Sequence, residues 1–264
     1  MLYLVLALGA AVMLLPFIWM VATSLKTQAD IFQYSTTLFP MHATLDAYRD
    51  VWVRIPFGQF FLNTLLFAGG VTALSLLTDS MTAYALARLE FRGREVMFWL
   101  ILVTMMVPFQ ITLIPLFITV FQFGWINTFW GLIIPRATSA FGIFLLRQFF
   151  VSLPKELDDA ARIDGASEFR VYWQIVLPLA APALATLGIF HFMNNWNDLM
   201  WPLVITSSTE MRTVPSGLAL FMGNFVIEHA VLMAGATIGL LPLAVAFLFG
   251  QRYFVRGVVM SGLK

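Results

Sequence analysis

Two long stretches of this 264-residue sequence contain no charged residue, Leu2 to Ala22 and Ala230 to Gly250. An α-helix needs about 20 apolar residues to cross the hydrocarbon core of a bilayer, and both stretches are long enough. Charged residues make up only 11% of the chain and hydrophobic residues 60%, whereas soluble domains are about 25% charged. Lipid must therefore replace water around most of the protein surface.

The apolar runs predict an all-α membrane protein with six spans. Backbone polar groups in hydrocarbon must bond within their own segment, and the runs are longer than the barrel strands of about 10 residues. The predicted spans are Leu2–Ala22, Phe60–Leu77 (extended as a helix to Ala87), Val96–Val120, Thr128–Phe150, Leu179–Ile205 and Ala230–Gly250. Pro108 and Pro115 in the third span and Pro242 in the sixth predict kinks, which serve either packing or a hinge.

The first apolar run is predicted to remain in the protein as a span. It lacks the basic n-region and the small-residue cleavage site of a signal peptide, and it is longer than the apolar part of one. The missing basic tail before Leu2 favours a trimmed or misassigned start.

The distribution of Lys and Arg predicts the orientation of the spans. Ten basic residues lie in loops on one side and four on the other, while Arg136 lies within the fourth span. The ten are Arg88, Arg92, Arg94, Arg147, Lys155, Arg162, Arg170, Arg252, Arg256 and Lys264, and the four are Lys26, Arg49, Arg54 and Arg212. The more basic side is predicted to be cytoplasmic, so both termini lie inside. Segments 23–59 and 206–229 then face outward.

Composition excludes several kinds of site. The chain has no cysteine, so disulfides and Cys-ligated metals are excluded. His42, His191 and His229 are scattered, and no His, Asp or Glu cluster has the spacing of metal ligands. A net charge of +1 gives no indication of nucleic-acid binding. No catalytic residue, metal or cofactor is predicted.

A charged segment between the fourth and fifth predicted spans, residues 152–178, is the most polar part of the chain's second half, and we call it the charged loop. Pro154 suits the first position of a helix, and acidic groups in the first turns favour the positive end of its dipole; these are Glu156, Asp158 and Asp159. Gly165 is placed to end this helix in the left-handed conformation. Ser167 can then cap a second short helix that Pro178 ends.

Two interpretations of the charged loop are open on physical grounds. It is either an amphipathic hairpin at the membrane surface that only links two spans, or a docking element that presents a short helix to a groove in a partner.

The spacing of the charged loop resembles the EAA loop of bacterial ABC-importer permeases. In that family E-A-A is followed by three residues, a glycine, nine residues and I-x-L-P. This chain has Asp159-Ala160-Ala161, then Gly165, then Ile175-Val176-Leu177-Pro178, with the same intervals. Asp159 stands where the family usually has Glu, which keeps the charge but shortens its reach.

Further segments resemble the carbohydrate-type branch of these permeases, which is similar to the smaller subunit of maltose importers. They are "AYALARLEFRG" (83–93), "IPLF" (114–117), "IFLLRQFF" (143–150), "WNDLMWPL" (196–203) and "TVPSGL" (213–218). The resemblance implies a type I ABC-importer permease with six helices in a bacterial cell membrane. It also implies a second permease subunit, non-identical in this branch, two cytosolic ATPase subunits and an extracytoplasmic solute-binding protein that segment 213–218 approaches.

By the same resemblance, the charged loop fits a cleft on the ATPase and transmits its closure. The residues that would carry this coupling are Glu156, Asp159, Ala160, Ala161, Asp164, Gly165 and Ala166. An ATPase in another chain agrees with an independent observation, because a P-loop needs G-x-x-x-x-G-K-[ST] and none of the three lysines follows a glycine.

Polar residues inside the fifth predicted span are candidates for a translocation path. Polar groups at membrane depth are costly and normally face the bundle interior or a wet cavity. Asn194, Asn197, Asp198 and Trp201 would share one helical face, with amides and a carboxylate for sugar hydroxyls and an indole for a sugar face. Alternatively, these groups and Asn195 bond between helices and shape the bundle. His191 is expected to belong to such a polar network.

Two isolated charges complete the candidates within the spans. Asp79 is expected to reach the cytoplasmic interface, and Arg136 to snorkel outward or to line the outer half of a path. We expect no pair between them, because they are predicted to lie toward opposite faces of the membrane. Arg88, Arg92 and Arg94 are interpreted as determinants of topology.

The function predicted from these observations is that of a transmembrane subunit of an ATP-driven carbohydrate importer that alternates between two states. The carbohydrate would be a sugar, an oligosaccharide or a related polyol or glycerol derivative, and the chain itself would catalyse no covalent step. Residues 1–264 are predicted to form one permease domain. The alternative is an ion-coupled secondary transporter or channel that uses Asp79, Arg136 and Asp198. Such transporters often contain paired repeats with broken helices, and no repeat is visible here.

Overall fold

The computed structural model describes residues 1–33, 37–222 and 228–262, and every regular element in these ranges is helical. In chain order the α-helices are α1 (Leu2–Ser24), α2 (Gln28–Gln33), α3 (Asp46–Arg54), α4 (Phe57–Arg88), α5 (Arg94–Thr104), α6 (Phe109–Gln122), α7 (Phe129–Ile133), α8 (Ala140–Ser152), α9 (Glu156–Ile163), α10 (Glu168–Val171), α11 (Leu177–Leu179), α12 (Ala181–Trp196), α13 (Met200–Ile205), α14 (Val214–Leu218) and α15 (His229–Gly262). Short 3₁₀ or π turns lie at Ile134–Arg136, Tyr172–Val176, Thr209–Met211 and Ala219–Met222. The predicted all-α class is confirmed.

Three helices and three bent helix pairs have the length and composition of membrane spans. The single helices are α1, α4 and the His229–Leu248 part of α15. The bent pairs are α5 with α6 (100°), Phe129–Arg136 with α8 (44°), and Glu168–Leu179 with α12 (78°). Counting each pair as one span gives up to six in the described ranges, in agreement with the predicted number.

Of the three prolines that were predicted to kink the spans, Pro108 lies at a break, and Pro115 and Pro242 lie within helices. α5 ends at Thr104, and Pro108 has an extended backbone (φ −61°, ψ 137°) just before α6. A proline disfavours helical geometry in the residue before it, which explains why the third span breaks here. Pro115 and Pro242 lie inside α6 and α15, which continue past them.

The chain divides into two compact units, which are described separately. The first comprises the described residues of Met1–Thr64 and Ser208–Ala244. In its core, Phe57 and Phe60 pack with Val214 and Leu218. The amide of Asn63 donates to the carbonyl oxygens of Glu210 and Arg212 at 2.6 and 2.9 Å. The segment that contains α14 is therefore fixed to the N-terminal end of α4.

The second unit comprises the described residues of Leu65–Ser207 and Val245–Lys264. Its core joins α4 to α8, to the charged loop and to α12, and its buried members are Ala83, Tyr84, Ala87, Leu146, Phe150, Ala161, Val171, Tyr172, Val176, Ala180 and Leu187. One side of the charged loop thus packs against α4, α8 and α12 within this unit. All of the site residues described next belong to this unit.

Candidate functional site

The charged loop contains two short helical segments joined by a glycine turn. At the end of α9 the N–H of Ala166 bonds to the carbonyl of Ala161 at 2.9 Å, and that of Gly165 to Arg162 at 3.0 Å. This pair of bonds is a Schellman motif, which requires a left-handed residue at its turn. Gly165 has φ +81°, so the predicted glycine cap is confirmed. Ser167 caps the next segment by accepting from the N–H of Arg170, also as predicted.

Both prolines of the charged loop differ from their predicted places. Pro154 precedes the N-cap residue Lys155 and lies outside α9, whereas the first helical position was expected for it. Pro178 does not end the second helix, because the chain stays helical through a π turn into α11 and bends at Ala180.

One side of α9 is exposed and the other is packed. Glu156, Asp159, Ala160, Asp164 and Gly165 are exposed, whereas Ala161 is buried and Ala166 half-buried. Large apolar side chains are also exposed on the charged loop, with Ile163 at 86% and Phe169 at 64%. An exposed mixture of carboxylates and large apolar groups suits contact with another protein.

A buried ion pair fixes the packed side of α9 to the end of α4. Nη1 of Arg88 lies 3.3 Å from Oδ2 of Asp158, and the two side chains are only 2% and 4% exposed. Nη2 of Arg88 also donates to the carbonyl of Leu153 at 2.9 Å. Burial raises the pKa of Asp158, and the Arg88 guanidinium opposes this rise. Arg88 is therefore more than the topology determinant that was predicted.

α4 contacts the charged loop at three positions spaced by four residues. The hydroxyl of Ser80 lies 2.8 Å from that of Tyr172. One turn later the hydroxyl of Tyr84 donates to Oε2 of Glu168 at 2.9 Å, and Arg88 follows one further turn along. Residues four apart lie on one helix face, so one face of α4 holds α9 and the segment after Gly165 together.

A second polar region lies where the fourth span is broken. Ser75 and Thr78 donate to the carbonyl oxygens of Arg136 and Ala137. Oδ1 of Asp79 accepts from the hydroxyl of Thr138 at 2.8 Å and from the N–H of Ser139 at 2.9 Å. A helix break in a membrane frees backbone groups that other groups must satisfy. Polar side chains of α4 supply those partners.

The position of Asp79 corrects two predictions. Its side chain is fully buried inside the protein rather than extended to the surface as expected. It bonds to Ser139, three residues after Arg136, so the two charges are not placed toward opposite faces as predicted. His191 completes the cluster with Nε2 at 3.3 Å from Oδ2 of Asp79.

A cavity of about 470 Å³ opens beside this break. Its polar lining is Thr112, Arg136, Thr138, Ser139, His191, Asn194 and Asn195, and its apolar lining is Phe109, Leu116, Pro135, Phe141, Leu187 and Phe190. Ligand sites commonly have this volume and this mixture of apolar walls with a few polar groups.

Arg136 is the charged residue of the cavity wall, and it does not snorkel away. Its Nη2 lies 3.1 Å from Oδ2 of Asp198, and its guanidinium lies 4.8 Å from the centre of the Phe109 ring. Nη2 also donates to the amide oxygen of Asn195 at 3.4 Å. The pair with Asp198 was not predicted.

The four predicted path residues do not share a helical face, because the helix breaks between them. α12 ends at Trp196, and α13 begins at Met200. Asn194 lines the cavity, and Asp198 reaches it through Arg136. Asn197 is exposed and donates to the carbonyl of Met193 at 3.0 Å. Trp201 is fully buried, and its indole N–H donates to the carbonyl of Leu132 at 3.1 Å.

The family described as "Binding-protein-dependent transport system inner membrane component" matches this chain over residues 79–260. The chain belongs to this family. The matched region includes the charged loop and every residue of the cavity wall, and the predicted resemblance to ABC-importer permeases is confirmed.

Named relatives of this inner membrane component are similar over nearly its whole length. The arabinooligosaccharides transport system permease protein AraQ of Halalkalibacterium halodurans is 34% identical over 258 residues, which covers 97% of this chain and 92% of AraQ. The sn-glycerol-3-phosphate transport system permease protein UgpE of Pectobacterium atrosepticum is 34% identical over 268 residues, covering 98% and 95%. Both relatives are named as permeases of transport systems.

A solved structure has the same fold. It is described as a bacterial ABC transporter involved in the import of the acidic polysaccharide alginate. The TM-score is 0.85 at 26% sequence identity, and the match covers 96% of this chain and 94% of the solved chain. The permease is therefore similar in fold to a subunit of a known importer.

Several residues of the permease's site are absent from the sequence prediction or have a different role there. The sequence predicts Asp158 only as one of the acidic residues at the start of a helix, whereas the structure places it three residues before the buried Ala161, on the packed side of α9. The sequence predicts no partner for Arg136, and no local pattern connects it to Asp198. Among the described residues, no group of three His, Cys, Asp or Glu side chains could hold a metal ion.

Proposed function

We propose that this permease is a transmembrane subunit of an ATP-driven importer of a carbohydrate, meaning a sugar, an oligosaccharide or a related polyol or glycerol derivative. The observation that carries the proposal is the similarity over nearly the full length to AraQ and UgpE, whose names specify arabinooligosaccharides and sn-glycerol-3-phosphate. The alginate importer adds a third carbohydrate system with the same fold.

The assembly that this function needs has several further components. A second, non-identical permease subunit would complete the path, two cytosolic ATPase subunits would supply the energy, and an extracytoplasmic solute-binding protein would deliver the substrate. Residues 1–264 would form a single permease domain in a bacterial cell membrane. The excess of Lys and Arg on one side supports an orientation with both termini in the cytoplasm.

The charged loop would dock to the ATPase through the exposed side of α9. This side presents Glu156, Asp159, Ala160 and Asp164, with Ile163 beside them. Ala161, Gly165 and Ala166 would act by shaping the turn, since they form the Schellman motif. Because Ser80, Tyr84 and Arg88 bind the charged loop and Ser75, Thr78 and Asp79 hold the broken fourth span, α4 would carry the movement of the loop to the cavity.

The cavity would form part of the translocation path. Asn194 lines it directly, and Asp198 acts by holding the guanidinium of Arg136. Asn197 and Trp201 would instead support the break between α12 and α13 through their bonds to backbone carbonyls. The break in the fourth span and the break between α12 and α13 leave backbone polar groups without helical partners. Such irregular backbone is tolerated at membrane depth where it lines a cavity.

Uptake by proteoliposomes that contain the complete importer tests this function. ATP on the side of the ATPases is expected to drive accumulation of a saccharide, and removal of ATP or of the ATPase subunits should abolish it. Accumulation driven by a sodium or proton gradient without ATP would contradict the proposal and favour an ion-coupled transporter.

A further inference from the structure

The charges around the cavity determine which class of saccharide it can hold. Of the described residues that line it, Arg136 is the one with a permanent positive charge. An acidic saccharide would need this guanidinium as its partner, because Arg binds carboxylate and phosphate groups in pairs of hydrogen bonds. The state of Arg136 therefore decides between neutral and anionic substrates.

Arg136 is already compensated by a carboxylate from the same chain. Its distance to Asp198 is 3.1 Å, and the two side chains are 23% and 12% exposed. Oδ2 of Asp198 is shielded from solvent and makes no aligned hydrogen bond within the described residues. An anion that took Arg136 would leave this buried carboxylate uncompensated, which is strongly unfavourable.

A second carboxylate lies behind the same wall. Asp79 is fully buried, and each of its polar contacts is with a residue of the cavity wall, namely Thr138, Ser139 and His191. The Arg136–Asp198 pair is neutral as a whole, and Asp79 adds a second carboxyl group rather than a cation. The wall therefore offers no net positive charge to an anion.

The rest of the wall suits an uncharged polyhydroxylated ring. Asn194 provides an exposed amide, and Thr112 provides a hydroxyl. Three phenylalanines, at positions 109, 141 and 190, provide apolar surface for the C–H face of a ring. Amides and hydroxyls both donate and accept hydrogen bonds, as do sugar hydroxyls.

We propose that the Arg136–Asp198 pair makes the cavity selective for neutral saccharides over anionic ones. The inference rests on the proposed function, since it requires the cavity to lie on the path of a carbohydrate. Asp198 is then a specificity-determining residue that acts by occupying Arg136.

Binding of two labelled trisaccharides tests the proposal. The complex of both permeases and the ATPases, without the binding protein, is held in nanodiscs, and binding is measured by equilibrium dialysis. Maltotriose serves as the neutral probe and trigalacturonate as the anionic one. The dissociation constant of the wild-type complex for maltotriose is expected to be at least about tenfold lower than that for trigalacturonate.

The variant D198N is expected to reverse part of this preference. It keeps the shape of the side chain but frees the charge of Arg136, so trigalacturonate binding should tighten by about tenfold. The double variant R136Q/D198N should lose that gain. D46N removes an exposed carboxylate in α3, outside the cavity wall, and should leave both affinities unchanged.

The wild-type complex alone decides the matter if D198N does not assemble. Equal or tighter binding of trigalacturonate than of maltotriose by the wild type would overturn the proposal. It would also be overturned if neither trisaccharide bound. Tightened trigalacturonate binding by D46N would also count against it, because the effect would then be one of overall charge. ATP-driven uptake of an acidic saccharide would overturn this selectivity while leaving the proposed function intact.

Discussion

The charged loop and the cavity wall both contain paired charges, but they place them in different surroundings. In the charged loop, Arg162 pairs with Asp159 at 3.1 Å and with Glu168 at 2.8 Å, and all three side chains are at least 37% exposed. At the cavity, Asp198 is 12% exposed and Asp79 fully buried. Exposed pairs contribute about 0–1 kcal/mol, whereas removal of one partner from a buried pair costs about 3–5 kcal/mol.

The charges of the two regions therefore have different roles: those of the charged loop are available to a partner protein, and those of the cavity wall stabilise the permease itself. Side chains on the exposed face of the charged loop can give up their weak contacts for a partner protein at little cost. The cavity charges cannot, since they satisfy the broken fourth span and each other. Arg88 and Asp158 are the exception, because they belong to the connection of the charged loop with α4 but are buried like the cavity charges.

Asp79→Ala is expected to have the largest effect. It leaves the N–H of Ser139 and the hydroxyl of Thr138 without their carboxylate partner. Each buried donor left without its partner costs about 1–3 kcal/mol. The apparent free energy of unfolding, measured by denaturant titration of the purified protein in detergent, should therefore fall by about 2–6 kcal/mol for the two donors together. The matched change Asp159→Ala in the charged loop should cost no more than about 1 kcal/mol. Equal losses for the two variants would remove the distinction between the regions.

Arg88→Met should destabilise almost as much, and its effect should depend on pH. Burial raises the pKa of Asp158, and loss of the guanidinium would raise it further. The folded state then holds its proton more firmly than the unfolded state, so stability is greatest below the unfolded pKa and is lost as the pH rises through the folded one.

The deficit of Arg88→Met relative to the wild type should therefore grow as the pH rises from about 4, where an ordinary aspartate ionises, toward neutral pH. The same titration as for Asp79→Ala, repeated across this range, measures it. R88M/D158N removes the buried carboxylate and should flatten the dependence. A constant deficit in R88M would mean that Asp158 does not titrate in this interval.

Gly142→Ala is expected to have an intermediate effect. A Cβ at this position would lie 2.1 Å from Oδ2 of Asp79, so the carboxylate or the helix must shift. Overpacking of this kind costs about 1–3 kcal/mol, and the titration in detergent should show that loss. Gly69→Ala in α4 is the control, because a Cβ there meets nothing within 4 Å. A Gly142→Ala protein as stable as Gly69→Ala would show that Asp79 can move freely.

Arg162→Ala should have the smallest effect on stability. It removes the contacts to Asp159 and Glu168, and a change of no more than about 1 kcal/mol is expected because the pairs are exposed. The measurement is again the denaturant titration. A loss as large as that of Arg88→Met would show that the exposed pairs also hold the charged loop in place.

The fold and the charged loop could be predicted from the sequence because their signals are local. Apolar runs give the spans, and the distance from Asp159 to Gly165 is short enough for a helix and its cap. The cavity depends on residues about 60 positions apart, such as Arg136 and Asp198, which come together only because the fourth and fifth spans break. Pro108 signals a break of this kind, but no proline lies at 197–199. The face shared by Asn194 and Trp201 was therefore predicted wrongly.

The number of saccharide molecules imported per ATP hydrolysed, measured in the same proteoliposomes, tests most directly whether the charged loop couples ATP to transport. Gly165→Val distorts the left-handed turn, whereas Gly93→Val places the same strain at φ +90° outside the charged loop, and a Cβ at either site meets nothing within 4 Å. The ratio should fall sharply for Gly165→Val, with ATP hydrolysis retained, and stay near the wild-type value for Gly93→Val. An unchanged ratio in Gly165→Val would contradict the coupling role of the charged loop.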